Sequence, residues 1–261
     1  MSISKEIILS CIAPLTCVVC TGPVEASAAW PLCSDCAARL TIDAGRRCDI
    51  CGKPIISEQT RCMRCRSARV AFDSAFPLYS YTGTARKLLI AYKSKKRRSL
   101  AAFLALRLAP EIMARFPGYT LVPVPPRPGK VHREGWDQVE LLAGILEHRY
   151  KLPVARVLVR NKGGDEQKTL GKEGRFMNMV GRYDLMPRYA RHCRSQSGMI
   201  QPGSCGSGSS SSGKSGSEHP LPGKVLLLDD IMTTGATLSE CASVLKGYGS
   251  SRVCAIVLAA D

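Results

Sequence analysis

Two adjacent acidic residues followed by a threonine-rich segment are the part of the sequence whose residue types and spacing most clearly indicate chemistry. Asp229 and Asp230 follow the apolar run 225–228, and the segment 233–237 leads into a helical pattern. Backbone N–H groups at the start of a helix bind phosphate, whereas carboxylates accept hydrogen bonds from vicinal sugar hydroxyls. A ribose that carries a 5-phosphate would use both groups. The alternative is that Asp230 only caps a helix and that the threonines form a turn.

Four Cys-x-x-Cys pairs near the start of the chain predict metal binding. A structural zinc ion takes four thiolate or imidazole ligands in a tetrahedron, so eight thiolates would hold two ions. Pairing of consecutive pairs and interleaved pairing both satisfy this number. No histidine or carboxylate is evident as an open-site ligand, so the ions are expected to hold a fold, an interpretation favoured over a thioredoxin-like redox role. The predicted ligands are Cys17, Cys20, Cys33, Cys36, Cys48, Cys51, Cys62 and Cys65.

Length and composition are typical of a globular protein with one large and one small domain. The chain has 261 residues, of which 45% are hydrophobic, and a formal net charge of +16. This positive surplus favours anionic partners, namely nucleic acid, phosphorylated metabolites or an acidic membrane surface, without choosing among them. No apolar run approaches the ~20 residues of a membrane-spanning helix, and the N-terminal stretch is too short for a signal peptide. We therefore expect a cytoplasmic protein without a membrane span.

Cysteine and apolar residues divide the chain into two predicted domains. Residues 1–68 hold the paired cysteines, and residues 69–261 form an α/β domain in which a Ser/Gly-rich stretch, 188–223, is predicted to be a flexible insertion. Strands that alternate with helices predict a mostly parallel sheet with helices on both faces. A basic cluster at 93–98 is interpreted as a solvated helix face or anion surface, with Lys93 a marginal site candidate. The predicted strands lie within 72–81, 119–124, 154–159, 225–228 and 253–258, and the predicted helices within 84–115, 136–150 and 237–246.

The acid and threonine segment resembles a known motif. The run VLLLDDIMTTGAT is similar to the phosphoribosyl pyrophosphate motif of type I phosphoribosyltransferases, which has an apolar strand, two acids and then Thr-Thr-Gly-x-Thr. The cysteine-rich start resembles the double zinc ribbon that often precedes ComF domains. The resemblance therefore implies a type I phosphoribosyltransferase fold behind a double zinc ribbon.

Two further segments resemble the ComF family. The stretch 121–138, LVPVPPRPGKVHREGWDQ, is similar to the family's Pro-Val-Pro element and its Arg-Gly-Phe-Asn-Gln element. It departs from the family where Glu134 separates Arg133 from Gly135 and where Trp-Asp replaces Phe-Asn. A second family spacing, Q-x-x-L-x-x-x-x-R-x-x-N, is matched by Gln167, Leu170, Arg175 and Asn178.

These resemblances imply a protein that binds phosphoribosyl pyrophosphate together with magnesium and transfers the phosphoribosyl group to an acceptor that the sequence does not identify. They also imply a link to competence and DNA uptake, with single-stranded DNA or DNA-uptake proteins as partners. The alternative is a non-catalytic DNA-binding accessory protein that uses the zinc ribbon and the basic surface. The implied catalytic residues are Asp229, Asp230, Arg175 and Lys168, the last two on a mobile loop, and the implied donor-binding residues are Asp229, Asp230, Thr233, Thr234, Gly235, Ala236, Thr237 and Arg133.

Overall fold

A computed structural model describes residues 16–25, 28–42, 45–56, 58–161, 181–190 and 221–261. Within these ranges the central feature is a four-stranded sheet in the order β1-β6-β5-β2, and every neighbouring pair in it is parallel. A two-stranded antiparallel hairpin, β3 with β4, lies outside this sheet. The strands are β1 (Ala75–Ser80), β2 (Thr120–Pro123), β3 (Leu158–Arg160), β4 (Tyr183–Leu185), β5 (Lys224–Met232) and β6 (Arg252–Ala260).

Helices cover both faces of the sheet. Side chains alternate across a strand, so Leu226 and Leu228 of β5 face one hydrophobic cluster, whereas Val225 and Leu227 face the other. The first cluster includes buried side chains of helices α3, α4 and α6, and the second includes buried side chains of helix α7 and of the β3–β4 pair. The helices are α1 (Ser34–Ala38), α2 (Met63–Ser67), α3 (Gly83–Lys93), α4 (Leu100–Arg115), α5 (Lys130–Glu134), α6 (Gln138–Tyr150) and α7 (Ala236–Gly247).

The predicted α/β architecture with a mostly parallel sheet is confirmed, and the differences are local. The helical pattern of 84–115 is two helices, α3 and α4, separated by the basic segment 94–99. The apolar run 154–159 was expected to be one strand, but Val154 makes a single parallel bridge to Leu121 before the chain turns away into the antiparallel hairpin.

Part of the predicted insertion can be described. Residues 188–190 belong to a helical turn that starts at residue 187, and residues 221–223 lead into β5. The remainder, 191–220, lies outside the described residues. No helix in the described ranges is both long enough and apolar enough to cross a membrane.

The cysteine-rich region packs directly on the α/β core. Trp30 contacts Phe103 of α4 edge to face, with ring centroids 5.4 Å apart. Further along the chain, the Ala75 amide of β1 donates to the Ile50 carbonyl at 2.7 Å. Gly52 has a φ of +67°, and a Cβ there would lie 2.2 Å from the Ala75 carbonyl oxygen. Cys17 and Cys36 belong to the first hydrophobic cluster, and Cys48, Cys51 and Cys65 belong to the second. The domain boundary near residue 68 stays a prediction.

Candidate functional site

The eight paired cysteines form two four-cysteine groups. Within each group the Sγ atoms lie within 4.8 Å of one another. The Sγ–Sγ distance is 3.7 Å for Cys20 and Cys33 and also for Cys51 and Cys62. Zinc–sulfur bonds of about 2.3 Å in a tetrahedron require a separation of about 3.8 Å, so the geometry fits zinc. The two groups are Cys17, Cys20, Cys33 and Cys36, and Cys48, Cys51, Cys62 and Cys65.

This arrangement decides between the two pairings that the sequence left open, because consecutive Cys-x-x-Cys pairs share a site. Each group offers four thiolates and thus a closed coordination shell, which is typical of structural zinc. Two such sites fit two structural zinc ions. The backbone supports the second group further, since the Cys62 amide lies 3.4 Å from the Cys48 sulfur.

The acid pair lies within β5, near the carboxyl edge of the parallel sheet, where ligands bind in open α/β folds. The Asp230 side chain is buried, with 7% of its surface exposed, and its Oδ1 accepts from the Ile231 amide at 2.7 Å. The Asp230 amide in turn donates to Oδ1 of Asp229 at 2.8 Å. The strand continues to Met232, beyond the acids, so the apolar run 225–228 is only its first half.

The Asp229 carboxyl has a raised pKa. Burial and the adjacent charge of Asp230 raise the pKa of Asp229 to about 8, although the Asp230 amide and the Lys93 ammonium act in the opposite direction. In the ligand-free protein, Asp229 is therefore largely protonated at neutral pH.

Two side chains converge on Oδ2 of Asp230. Lys93 Nζ lies 2.6 Å from this oxygen, and Gln138 Nε2 donates to it at 2.6 Å. Lys93 is the last residue of α3, and Gln138 is the first residue of α6. Burial lowers the pKa of Lys93, but the charge of Asp230 outweighs this effect, and the net shift is upward. Lys93, a marginal candidate in the sequence, is thus a site residue.

The segment between β2 and α6 brings more charge to the same place. Lys130 Nζ lies 2.7 Å from Oδ2 of Asp137 and also donates to Oε1 of Gln138. Asp137 caps α6, because its Oδ1 accepts from the Val139 and Glu140 amides at 3.0 Å. The aspartate that replaces the ComF-like asparagine therefore has a structural role and also holds Lys130.

The threonine segment starts α7. Gly235 is the N-cap residue with a φ of +77°, a conformation that glycine adopts without strain. Thr234 Oγ1 accepts from the Ala236 amide at 3.3 Å. A Cβ at position 235 would contact the Phe72 ring at 3.4 Å. The start of α7 thus has no charged side chain as its cap. It lies beside Phe72, which comes after the second cysteine group in the chain.

These groups surround one cavity of about 610 Å³. Among the predicted site residues, Asp229, Asp230, Thr233, Thr237 and Arg133 line it, and Thr234, Gly235 and Ala236 belong to the same turn. Lys168 and Arg175, like the other matches in 167–178, lie outside the described residues. The lining also includes residues that were not among the predicted site residues, namely Arg127, Lys130, Glu134, Asp137, Gln138, Tyr183 and Arg160.

A second cavity of about 720 Å³ lies against α6 and is lined mainly by apolar side chains such as Leu141 and Ile145. Trp136 is buried in its wall. The charged groups that could hold a polar ligand converge instead on the cavity at Asp230.

The fold and these sites define an α/β protein with an N-terminal pair of four-cysteine zinc sites. Residues 8–66 match the double zinc ribbon domain family. The chain is 25% identical over 248 residues to DNA utilization protein YhgH of Salmonella typhimurium, covering 92% of this chain and 94% of that protein. It is 23% identical over 244 residues to Competence protein F of Haemophilus influenzae, covering 91% and 93%. These similarities confirm the resemblance to a double zinc ribbon followed by a ComF-like region.

Proposed function

We propose that the chain binds phosphoribosyl pyrophosphate with magnesium in the cavity at Asp230 and acts as a phosphoribosyltransferase-like protein in DNA utilization. One observation carries the proposal. An acid pair that includes the buried Asp230 and the start of a 12-residue helix without a charged cap line the same cavity as several cations. A ribose with phosphate groups at both ends is the ligand that uses all three features.

In this proposal different parts of the cavity bind the ribose hydroxyls and the 5-phosphate. Asp229 and Asp230 accept hydrogen bonds from the ribose hydroxyls. The 5-phosphate lies at the start of α7, where Thr233 and Thr237 line the cavity and the backbone N–H groups of the first helical turn favour an anion. The helix dipole adds favourable potential for the phosphate charge at this end.

The diphosphate would face the cations of the loop before α6. Lys130 and Arg133 line the cavity there, and Arg127 adds a third positive charge. Carboxylate oxygens are the ligands that magnesium prefers, so Asp229 and Asp230 are the residues at this edge of the sheet that would hold the ion. Magnesium would supply charge neutralisation of the diphosphate oxygens. We propose that Lys168 and Arg175 add further positive charge to this end of the site.

If transfer occurs, the bond between the anomeric carbon and the diphosphate oxygen breaks, and its electron pair leaves with the diphosphate. The ribose then has oxocarbenium character, and a nucleophile on the acceptor forms the new bond to the same carbon. The residues of the cavity orient the ribose and hold the leaving diphosphate, so their contribution is positioning and electrostatic stabilisation.

Calorimetric titration with phosphoribosyl pyrophosphate and magnesium tests the site. We expect binding by the wild type and loss of binding in the double variant Asp229→Asn/Asp230→Asn. Glu111→Gln, which removes a carboxylate paired with Arg115 on α4, is the matched control and should bind like the wild type. Equal affinities for the wild type and the double variant would refute the site. Release of pyrophosphate in the presence of candidate acceptors measures transfer separately.

A second candidate function is non-catalytic DNA binding through the zinc ribbon and the basic surface. The formal net charge of +16 and the names of the relatives, a DNA utilization protein and a competence protein, favour it. Binding through phosphate contacts must weaken steeply as salt rises. Electrophoretic retardation of single-stranded DNA over a salt series tests this candidate, and absence of retardation at low salt would rule it out.

A further inference from the structure

The ion pair between Lys93 and Asp230 occupies the carboxylate that a ribose would need. Oδ2 of Asp230 already receives Lys93 and Gln138, each at 2.6 Å, and Oδ1 receives the Ile231 amide at 2.7 Å. Both oxygens are thus engaged before any ligand arrives. Oδ2 already accepts two donors, so a sugar hydroxyl can bind this oxygen only after one of them has moved.

Lys93 is the donor that can move most easily. Its side chain is 45% exposed and leaves from the last residue of α3. The helix end itself is fixed, because the buried Tyr92 hydroxyl donates to the Gln138 carbonyl at 2.6 Å. When the ammonium swings away, Asp230 keeps the hydrogen bonds from Gln138 and Ile231, so its charge does not become unpartnered.

A diphosphate bound in the same cavity would be an anion that the Lys93 ammonium can bind after it leaves Asp230. Lys93 lines the cavity together with Lys130 and Arg133. We propose, on the basis of the proposed function, that Lys93 selects the donor. Its ammonium passes from Asp230 to the diphosphate of phosphoribosyl pyrophosphate, and this exchange frees Asp230 for the ribose. Ribose 5-phosphate has no diphosphate to receive the ammonium, so Lys93 stays on Asp230 and the ribose is held poorly.

The test compares two ligands on two proteins by calorimetry with magnesium present. In Lys93→Met the affinity for phosphoribosyl pyrophosphate should fall about tenfold, because the more highly charged diphosphate holds the ammonium more strongly than the single carboxylate of Asp230 does. Affinity for ribose 5-phosphate should stay the same or rise, because nothing competes for Asp230. The ratio of the two affinities therefore shrinks by about tenfold or more.

Controls separate this role from general charge and from folding. Lys95→Met removes an exposed lysine two residues further on and should leave the ratio unchanged. Lys93→Arg keeps the charge and should keep most of the preference, and thermal unfolding checks that each variant is folded. An equal loss for both ligands in Lys93→Met, or no change for either, overturns the inference while the proposed function stands. Failure of the wild type to bind phosphoribosyl pyrophosphate overturns both.

Discussion

The side-chain amide of Gln138 donates from Nε2 to Oδ2 of Asp230 at 2.6 Å, and this contact joins the start of α6 to the acid pair of β5. The carbonyl oxygen of the same amide accepts from Lys130. Gln138 thus links an acid expected to hold the ribose to a cation expected to hold the diphosphate. Because the residue is buried, this link is protected from competition by water.

Replacing Gln138 with leucine should weaken binding of phosphoribosyl pyrophosphate. Leucine has a similar size but provides no hydrogen bonds, so Asp230 and Lys130 each lose a partner in a buried place. A loss of about 1–3 kcal/mol is expected for buried polar groups left unsatisfied. Calorimetry measures the affinity and thermal unfolding measures stability. Gln59→Leu, at an exposed position, is the control, and equal behaviour of the two variants would contradict the role of Gln138.

Gly235 and Gly118 provide a matched pair of substitutions at the same backbone conformation. Their φ angles are +77° and +76°. An alanine at either position meets the left-handed penalty, so each variant should lose about 1–2 kcal/mol of unfolding free energy. Only Gly235→Ala distorts the turn at the start of α7, and only this variant should bind phosphoribosyl pyrophosphate more weakly. Equal binding by both variants would argue against a phosphate at this turn.

The sequence predicts the site where its residues are neighbours in the chain and fails where they are distant. Asp229, Asp230 and the threonine segment lie within nine residues, so strand and helix periodicity alone place them at one edge. Gln138 is 92 positions from Asp230. Their contact depends on how α6 packs against β5. An apolar pattern predicts which face of a helix is buried, but it does not predict which atoms of another element that face contacts.

The zinc sites illustrate a second limit of the sequence. The spacing of the cysteines predicts eight thiolates and two ions, but consecutive and interleaved pairing satisfy the same coordination. The choice depends on the path of the chain between pairs. For the same reason, the packing of Phe72 below Gly235 could not be foreseen, since both residues appear in the sequence only as parts of separate elements.

Loss of the second zinc site should disturb the turn at the start of α7, whereas loss of the first should not. The segment after the second site contacts α7, where the Ala71 amide donates to Ser239 Oγ at 2.9 Å and Phe72 contacts Gly235. The first site packs instead near α4 through Trp30. Cys62→Ser should therefore weaken binding of phosphoribosyl pyrophosphate, by about 0.5–2 kcal/mol if coupling runs through these packed contacts.

Cys33→Ser is the matched control, because Cys33 and Cys62 are both half-buried ligands that follow an equivalent Cys-x-x-Cys pair. Each variant should lose one of two zinc ions by elemental analysis. Calorimetry then compares ligand affinities. A similar loss of affinity in both variants would mean that the two ribbons stabilise the sheet generally, without a specific path to the turn.

The raised pKa of Asp229 gives folding stability a dependence on pH with a defined sign. The pKa is about 8 in the folded protein, compared with a reference value of 3.8. Between these values the folded state holds a proton that the unfolded chain has lost, so the contribution of Asp229 to stability falls as pH rises and levels off above about pH 8. The physical cause is the burial of a second negative charge beside Asp230.

Asp229→Asn should remove this part of the pH dependence. The variant and the wild type should have similar unfolding free energies at about pH 3, where Asp229 is protonated in both the folded and the unfolded state, and the variant should be the more stable at about pH 9. Chemical denaturation at both pH values measures the difference, and Glu111→Gln controls for the loss of one carboxylate elsewhere. A variant that is less stable than the wild type at about pH 9 would show that Asp229 is charged in the folded protein already at neutral pH, and that Lys93 and the Asp230 amide stabilise its carboxylate more than burial destabilises it.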